Sequence, residues 1–322
     1  MSVPAKKFSY DDATFLTEKQ KVALIELVNK KGLNAPGLYE FMRVYFPRYP
    51  VTTIDKENFY KVEILKKDLN ASSAIITSRQ ARFLVDTYYN FQDHRIRANN
   101  QYRGLELASE PSQCVEWACT ESEKLEESIK KQLYVYASSD ELGERVLDVY
   151  GIGPVLASSL ISTIDITKAP TASNIWRFAG LDPTQEWKKG QKRPWNARLK
   201  TTCWKIGESF KKFSGREECF YGHIYLARKA MELERNERLE YKEQAEQALI
   251  KKNYSKETEA YKAYIQGKLP LSRIYSRSAR YATKLFLSHY QEVAYRIHYK
   301  QAPPKPFAIA MLHHGHYIPC PW

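Results

Sequence analysis

The chain has 322 residues, of which 43% are hydrophobic and 27% are charged, so its composition excludes a disordered tail and allows several ordinary domains. Fifty Lys and Arg residues outnumber 37 Asp and Glu residues, which gives a net charge of +13. This balance favours a polyanionic partner such as nucleic acid.

The sequence indicates no membrane segment and no disulfide framework. The first residues, MSVPAKKFSYDDATFL, carry charges where a signal peptide needs an apolar core, and no stretch approaches the roughly 20 apolar residues of a membrane span. Five cysteines at irregular spacings, with no CxxC pair, predict reduced thiols. We therefore expect a cytoplasmic protein that does not bind membranes.

Residues 1–76 are predicted to form a small N-terminal domain. Thr17 and Gln20 form a capping box at the start of a helix that is expected to end near Gly32. The stretches YPVTTI and FYKVEIL, which follow, fit either short strands or helix, and the pattern leaves that choice open.

Residues 77–137 predict an antiparallel helical hairpin whose two arms are interrupted at 104–111. Apolar positions recur at alternating spacings of three and four, which is a heptad pattern, and each arm would be about 35 to 40 Å long. The hairpin is either part of an internal helical bundle or an arm for homodimerisation. The two seams are Ala81, Leu84, Tyr88, Phe91, Arg95, Ala98 and Tyr102, and Val115, Ala118, Ser122, Leu125, Ile129, Leu133 and Tyr136.

Residues 138–215 contain, from Leu147, the string LDVYGIGPVLASSLISTI, which predicts a helix, a tight turn and a second helix. Gly151 and Gly153 leave the turn without side chains, and Pro154 suits the first position of a helix. Backbone N–H groups of such a turn can approach a phosphate closely, while Ile152 would anchor the turn in the core. The pattern predicts contacts to a nucleic-acid backbone without sequence readout, although a Gly-x-Gly turn can also be a plain helix connection.

A strongly basic stretch follows the turn. Between Lys188 and Arg216 there are ten Lys or Arg residues and one acid, Glu208. Such a one-sided run beside a phosphate-binding turn favours nucleic acid over an ordinary solvated face. Trp204 has the helical spacing of a core residue, whereas Trp187 and Trp195 are placed in the loop to stack on unpaired bases. The predicted binding residues here are Lys188, Lys189, Lys192, Arg193, Arg198 and Lys200.

The order GIGPVLASSLISTI, IWRFAGLDPTQ, a basic loop with a glycine, and a Lys-rich helix resembles the C-terminal domain of the insertion-sequence-110 family transposases. The resemblance covers residues 138–215, and the hairpin before it is similar to the family's helical connector. It implies a protein that handles DNA during recombination. Members of that family also carry a RuvC-like nuclease domain with four metal-binding acids, and they are guided by a structured RNA.

The chain departs from the family in two places. Residues 1–76 are short for a RuvC-like fold, and Asp11 and Asp12 lie in a polar leader instead of an apolar strand. The family's nucleophilic serine also has no counterpart in the stretch from Glu186 to Lys192, and Thr184 is the nearest hydroxyl. A covalent phosphoserine step would lack its attacking group.

Residues 216–322 predict a C-terminal helical region with a docked tail. Arg273, Arg277, Arg280 and Lys284 share one helical face, which either binds phosphates or pairs with the acidic residues of 232–246. The tail offers His313, His314, His316 and Cys320, with Cys219 and His223 as distant partners, as weak candidates for zinc. No paired template is present, so we expect neither a metal nor another cofactor.

Together these patterns predict a mainly α fold: a helical hairpin, a helix-hairpin-helix domain that binds DNA, and a C-terminal helical extension. The predicted function is a transposase-like DNA-binding protein of a mobile element or phage without strand-transfer chemistry of its own. Two alternatives stay open, an active divergent transposase or recombinase and a protein that binds structured RNA.

Overall fold

The computed structural model describes residues 69–110, 112–304 and 317–322. The chain divides into two compact units, residues 1–72 and 73–322, and the second holds nearly all of the described residues. These residues are mainly helical and include no strand, which confirms the mainly α fold class. The predicted helix at Thr17 and the stretches YPVTTI and FYKVEIL lie outside the described residues.

The described residues begin in a helical segment, 69–74, and ten α-helices and one 3-10 turn follow it in the part of the chain that the structure describes. None of the described helices is long and apolar enough to cross a membrane. In chain order they are α1 Ser78–Leu107, α2 Gln113–Ser138, α3 Glu141–Leu147, α4 Pro154–Thr163, the 3-10 turn Ile166–Lys168, α5 Ala172–Phe178, α6 Ala197–Lys212, α7 Phe220–Glu237, α8 Lys242–Lys251, α9 Glu259–Ile265 and α10 Leu271–Tyr299.

Helices α1 and α2 form the hairpin, and polar side chains join its outer half. His94 Nδ1 lies 2.9 Å from Ser122 Oγ, and Arg95 Nε donates to Glu126 Oε2 at 2.6 Å. The helices are antiparallel, because Val85, earlier in α1, packs in one cluster with Leu133, later in α2. Leu125, predicted on the seam, is exposed, and Glu126 is buried in its place. The buried positions Cys119, Ser122, Glu126, Ile129, Leu133 and Tyr136 alternate in spacings of three and four along α2, and Leu125 falls outside this heptad pattern.

The inner half of the hairpin packs against α4 through the buried side chains of Val85, Ile129, Leu133 and Val155. This half is therefore part of the helical body. Towards the tip, Trp117 of α2 is largely exposed. Homodimerisation through the hairpin stays a prediction.

One apolar core extends from the end of α2 to α7 and includes α10, which passes through its centre. Phe286 of α10 contacts Phe210 of α6 and Tyr221 of α7 edge to face, and all three rings are fully or almost fully buried. The predicted segments 138–215 and 216–322 share this core, so α10 holds in place the helices that carry the candidate site.

A buried ionic network joins α7 to α10. Glu232 is 1% exposed, and its carboxylate accepts hydrogen bonds from Arg228, Arg277 and the Tyr241 hydroxyl. At the end of the same helix, Asn236 exchanges two hydrogen bonds with the backbone of Leu269. These contacts fix the start of α10 against α7.

The chain end lies against α7 and α10. The Trp322 ring stacks on Phe286, and its Nε1 donates to the Tyr221 hydroxyl at 2.8 Å. Tyr221 and the backbone carbonyl of Ile318 in turn contact the two ring nitrogens of buried His289. The chain end thus adds aromatic surface to the main core.

Candidate nucleic-acid interface

The Gly-Ile-Gly turn between α3 and α4 is anchored to α6. Gly151 has φ +95°, a conformation that L side chains rarely adopt, and a Cβ added there would lie 3.3 Å from the Phe210 ring. The Ser209 hydroxyl donates to the Gly151 carbonyl at 2.5 Å, and Ile152 is buried as predicted. The fold itself therefore requires glycine at Gly151.

Gly153, in contrast, has no structural need to be glycine. Its φ is −93°, and a Cβ added there would meet no atom within 4 Å. Gly153 is the N-cap of α4, no side chain caps that helix, and Pro154 occupies the first turn. The bare helix end leaves its first N–H groups accessible to an acceptor from outside the chain.

Because a side chain fits at Gly153 but not at Gly151, a substitution at Gly153 is the more direct test of phosphate contact at the turn. Changing Gly153 to Val should lower the melting temperature only slightly, because valine is a poorer N-cap than glycine, but it should weaken duplex DNA binding by blocking the approach of a phosphate to the first N–H groups of α4. Changing Gly151 to Val should lower stability, because of its positive φ. Electrophoretic mobility shift with thermal melting separates the two effects, and unaltered affinity in Gly153→Val would remove the turn from the interface.

The basic loop before α6 is folded around two tryptophans. Trp187 Nε1 donates to the carbonyl of Gln191 at 2.7 Å and closes a turn in which Lys188, Lys189 and Lys192 are exposed. Trp195 covers Gly180, whose φ is +65° and where a Cβ would lie 2.7 Å from the indole. Gly180 therefore ends α5 in the left-handed conformation and lets the loop approach closely.

Four cations from two distant parts of the chain meet beside Trp195 and Trp176; we call them the cationic cluster. Lys200 Nζ lies 4.0 Å from the centre of the Trp195 ring, and Lys284 Nζ lies 4.1 Å from that of Trp176. Trp176 Nε1 also donates to the Lys284 carbonyl at 3.0 Å, which fixes α10 against α5. The cluster consists of Arg193, Lys200, Arg280 and Lys284.

The charges of the cationic cluster repel one another. The pKa of Lys200 is lowered by burial and by the positive charges of Arg280 and Arg193. Burial lowers the pKa of Lys284; among its charged neighbours, Asp182, which raises the pKa, has a larger effect than Arg280, which lowers it. Among the described residues, none of the four cations forms an ion pair within 4 Å. An arriving anion would relieve this repulsion.

Other predicted binding residues have partners within the protein. Arg198 of α6 forms an ion pair with Asp86 of α1 at 2.5 Å. Arg277 donates to buried Glu232 at 3.0 Å, and Arg273 donates to the Tyr264 hydroxyl at 3.2 Å. The four basic residues predicted to share one face of α10 therefore divide into two pairs. Arg273 and Arg277 contact α9 and α7, whereas Arg280 and Lys284 belong to the cationic cluster.

The turn and the cationic cluster lie at different ends of α6. Gly151 contacts Ser209 and Phe210, whereas Lys200 lies in the first turn of the helix. Nine residues along a helix correspond to about 14 Å and half a rotation. One phosphate group therefore cannot contact both.

Trp204 is another residue whose position the sequence predicted wrongly. Its side chain is 64% exposed, although its spacing is that of a core residue. Leu199, Cys203, Ile206 and Phe210 already fill the buried face of α6, so Trp204 falls outside it. Trp195, predicted to stack on bases, instead packs on Gly180.

The described residues contain no group of three or more His, Cys, Asp or Glu side chains that could hold a metal ion. Cys320 Sγ contacts the backbone carbonyl of Trp322, and Cys219 is buried at the start of α7 beside the Tyr150 carbonyl. His313, His314 and His316 lie outside the described residues.

The chain has no counterpart in the comparisons with known proteins. No family model, curated protein or solved structure matches it. The resemblance to the insertion-sequence-110 family therefore stays a prediction from the motif order. The geometry of the cationic cluster and of the turn is the remaining indication of function.

Proposed function

We propose that this protein binds DNA through its sugar-phosphate backbone, as a cytoplasmic, transposase-like component of a mobile element or phage. In this proposal the cationic cluster holds phosphates of one backbone segment, and the N-terminus of α4 at Gly153 holds another. Exposed Lys188, Lys189 and Lys192 add attraction at longer range.

The observation that carries the proposal is the crowding of Arg193, Lys200, Arg280 and Lys284 without an ion-paired acid among the described residues. Like charges at close range cost free energy in the unbound protein, and phosphate oxygens recover that cost on binding. Arg198 and Arg277, in contrast, pair with Asp86 and Glu232 of the same fold.

Duplex DNA is the proposed ligand, and structured RNA is the second candidate. Contacts to backbone phosphates alone do not separate the two polymers. The test measures binding of a mixed-sequence 30-base-pair DNA duplex, the RNA hairpin of the same stem sequence, and polyglutamate as a polyanion that is not a nucleic acid. The proposal expects the tightest binding to DNA. Tighter binding to RNA would assign the protein to the second class, and equal binding to polyglutamate would contradict both.

We further expect no strand-transfer chemistry from this chain, because the serine of the resembling family has no counterpart between Glu186 and Lys192. Incubation of the purified protein with supercoiled DNA and Mg²⁺ or Mn²⁺ should give neither nicked DNA nor a covalent adduct. A denaturant-resistant adduct that disappears on substitution of a single Ser, Thr or Tyr would instead establish an active recombinase.

A further inference from the structure

Trp204, on α6, has an exposed indole without an aromatic, cationic or hydrogen-bonding partner among the described residues. Its side chain is 64% exposed. Trp117 of α2 is the second tryptophan of this kind. The described indoles that do contact another ring, a cation or a backbone carbonyl are those of Trp176, Trp187, Trp195 and Trp322.

Trp204 lies on the same side of α6 as Lys200. Four residues separate them, which is close to one helical turn, so their Cβ atoms are about 5 to 6 Å apart. On the opposite face of α6, Leu199, Ile206 and Phe210 are buried, so the helix cannot rotate about its axis without exposing apolar surface. The Trp204 ring is therefore held one turn along from a residue of the cationic cluster.

Helix α10 passes along the same side of α6. A Cβ added at Gly207, three residues after Trp204 and about 60° away around the helix, would lie 3.4 Å from the side chain of Ala279. The next residue of α10, Arg280, is exposed, and its positive charge lowers the pKa of Lys200 after the larger effect of burial. Cations from both helices therefore border the surface that carries Trp204.

Trp117 has nearly the same exposure in an opposite electrostatic environment. Its side chain is 66% exposed, but residues 113–128 around it contain five acids and a single Lys, whereas α6 contains five Lys or Arg and a single acid. A polyanion is therefore attracted to the surface of Trp204 and repelled from that of Trp117. This difference in charge indicates that the ligand of the Trp204 ring belongs to a nucleic acid.

The part of a nucleic acid that fits an exposed indole is the face of a base. Aromatic side chains stack on bases of any sequence, because every base has a π face. In a paired duplex the neighbouring base pairs cover these faces, so an enzyme or binding protein reaches one only at an unpaired or extruded nucleotide. A phosphate and its base are joined through a single sugar, so a phosphate held at Lys200 brings its base within reach of Trp204.

We propose that Trp204 stacks on an unpaired base of DNA whose phosphates are held by the cationic cluster. The protein therefore favours duplex DNA that carries unpaired nucleotides over fully paired duplex. This inference rests on the proposed function and names the form of DNA that the same site prefers.

The test compares three labelled 30-base-pair duplexes by fluorescence anisotropy with the full chain. One is fully paired, one has a central bulge of three thymidines, and one has three abasic nucleotides in the same bulge, which keeps the phosphates and removes the bases. We expect the thymidine bulge to bind at least about fivefold more tightly than the abasic bulge, which is the ratio that about 1 kcal/mol of stacking gives. Binding of the fully paired duplex tests the proposed function separately.

Three variants assign the preference to the ring. Trp204→Leu keeps an apolar side chain without a π face and should bring the ratio of the two affinities to about one. Trp204→Phe should retain a ratio clearly above one, and Trp117→Ala, the control with matched exposure, should leave the wild-type ratio unchanged. All three variants should melt close to the temperature of the wild type, because each replaces an exposed side chain.

Equal affinity of the wild type for the two bulged duplexes would overturn this inference, while binding of the fully paired duplex would still support the proposed function. An unchanged ratio in a folded Trp204→Leu variant would also overturn it, since another ring would then stack on the bases and the exposed indole would be left to a protein partner. Absence of binding to all three duplexes would overturn both proposals.

Discussion

Changing both Arg280 and Lys284 to Ala will lower the affinity of the protein for duplex DNA by about 60-fold at 0.1 M salt. Binding constants scale with salt to a power of about −0.9 per neutralised phosphate, so each lost contact costs about eightfold at that concentration, and two contacts cost the product. Fluorescence anisotropy with a labelled duplex measures this loss directly.

The same double variant should melt close to the temperature of the wild type, because the loss of the Lys284 contacts with Trp176 and Asp182 is offset by the relief of repulsion between Arg280 and Lys200. Lys251 and Lys252, at the end of α8, provide the matched control: changing both to Ala removes the same net charge far along the chain from the cluster. A loss of affinity in the control as large as that in the cluster variant would show that only net charge matters.

Changing Glu232 to Ala will destabilise the fold by about 3 to 5 kcal/mol, because it leaves Arg228 and Arg277 without the buried carboxylate that both contact. For a unit of this size, that corresponds to a decrease in melting temperature of at least about 6 °C. Glu234, just over half a helical turn away on the exposed side of α7, is the control. Its pair with Arg238 is exposed, so its substitution by Ala should cost less than about 1 kcal/mol.

The pH dependence of stability tests the same network. Burial alone would raise the pKa of Glu232, but hydrogen bonds from Tyr241, Arg228 and Arg277 outweigh it and hold the pKa below its ordinary value of 4.5. Because the pKa of Glu232 is lower in the folded than in the unfolded protein, its ionised carboxylate stabilises the fold fully above pH 4.5. This stabilisation is lost as the pH falls through the folded-state pKa. The difference in melting temperature between wild type and Glu232→Gln should therefore be constant from pH 7 to 5 and smaller below pH 4.5. A difference that grows on acidification would contradict the ion-pair assignment.

The helices were predictable from local patterns, because caps and apolar spacing act over a few residues. Thr77 with Gln80, Pro154 and Gly180 mark helix ends in the sequence, and the structure has helix ends at these positions. The glycine turn was predictable for the same reason, but the distinction between Gly151, which the fold requires, and Gly153, which it does not, depends on the position of α6.

The composition of the site was less predictable, since it depends on contacts between residues far apart in the chain. Lys200 and Arg280 are 80 positions apart, and only the packing of α10 against α5 and α6 brings them together. Similarly, Arg277 and Arg280 lie on one face in the sequence pattern, yet only Arg277 reaches Glu232. The prediction for Trp204 was wrong because its spacing fits the buried face of a helix, but other residues already fill that face.

The salt dependence of DNA binding tests the central claim most directly. If the cationic cluster neutralises backbone phosphates, a plot of log Kobs against log salt for the wild type will be linear, and changing Arg280 and Lys284 to Ala will reduce its slope by about 1.8, or 0.9 for each phosphate contact. The control substitution of Lys251 and Lys252 will leave the slope unchanged. Identical slopes for the wild type and the Arg280 and Lys284 variant would show that these residues contact no phosphate and would contradict the proposed interface.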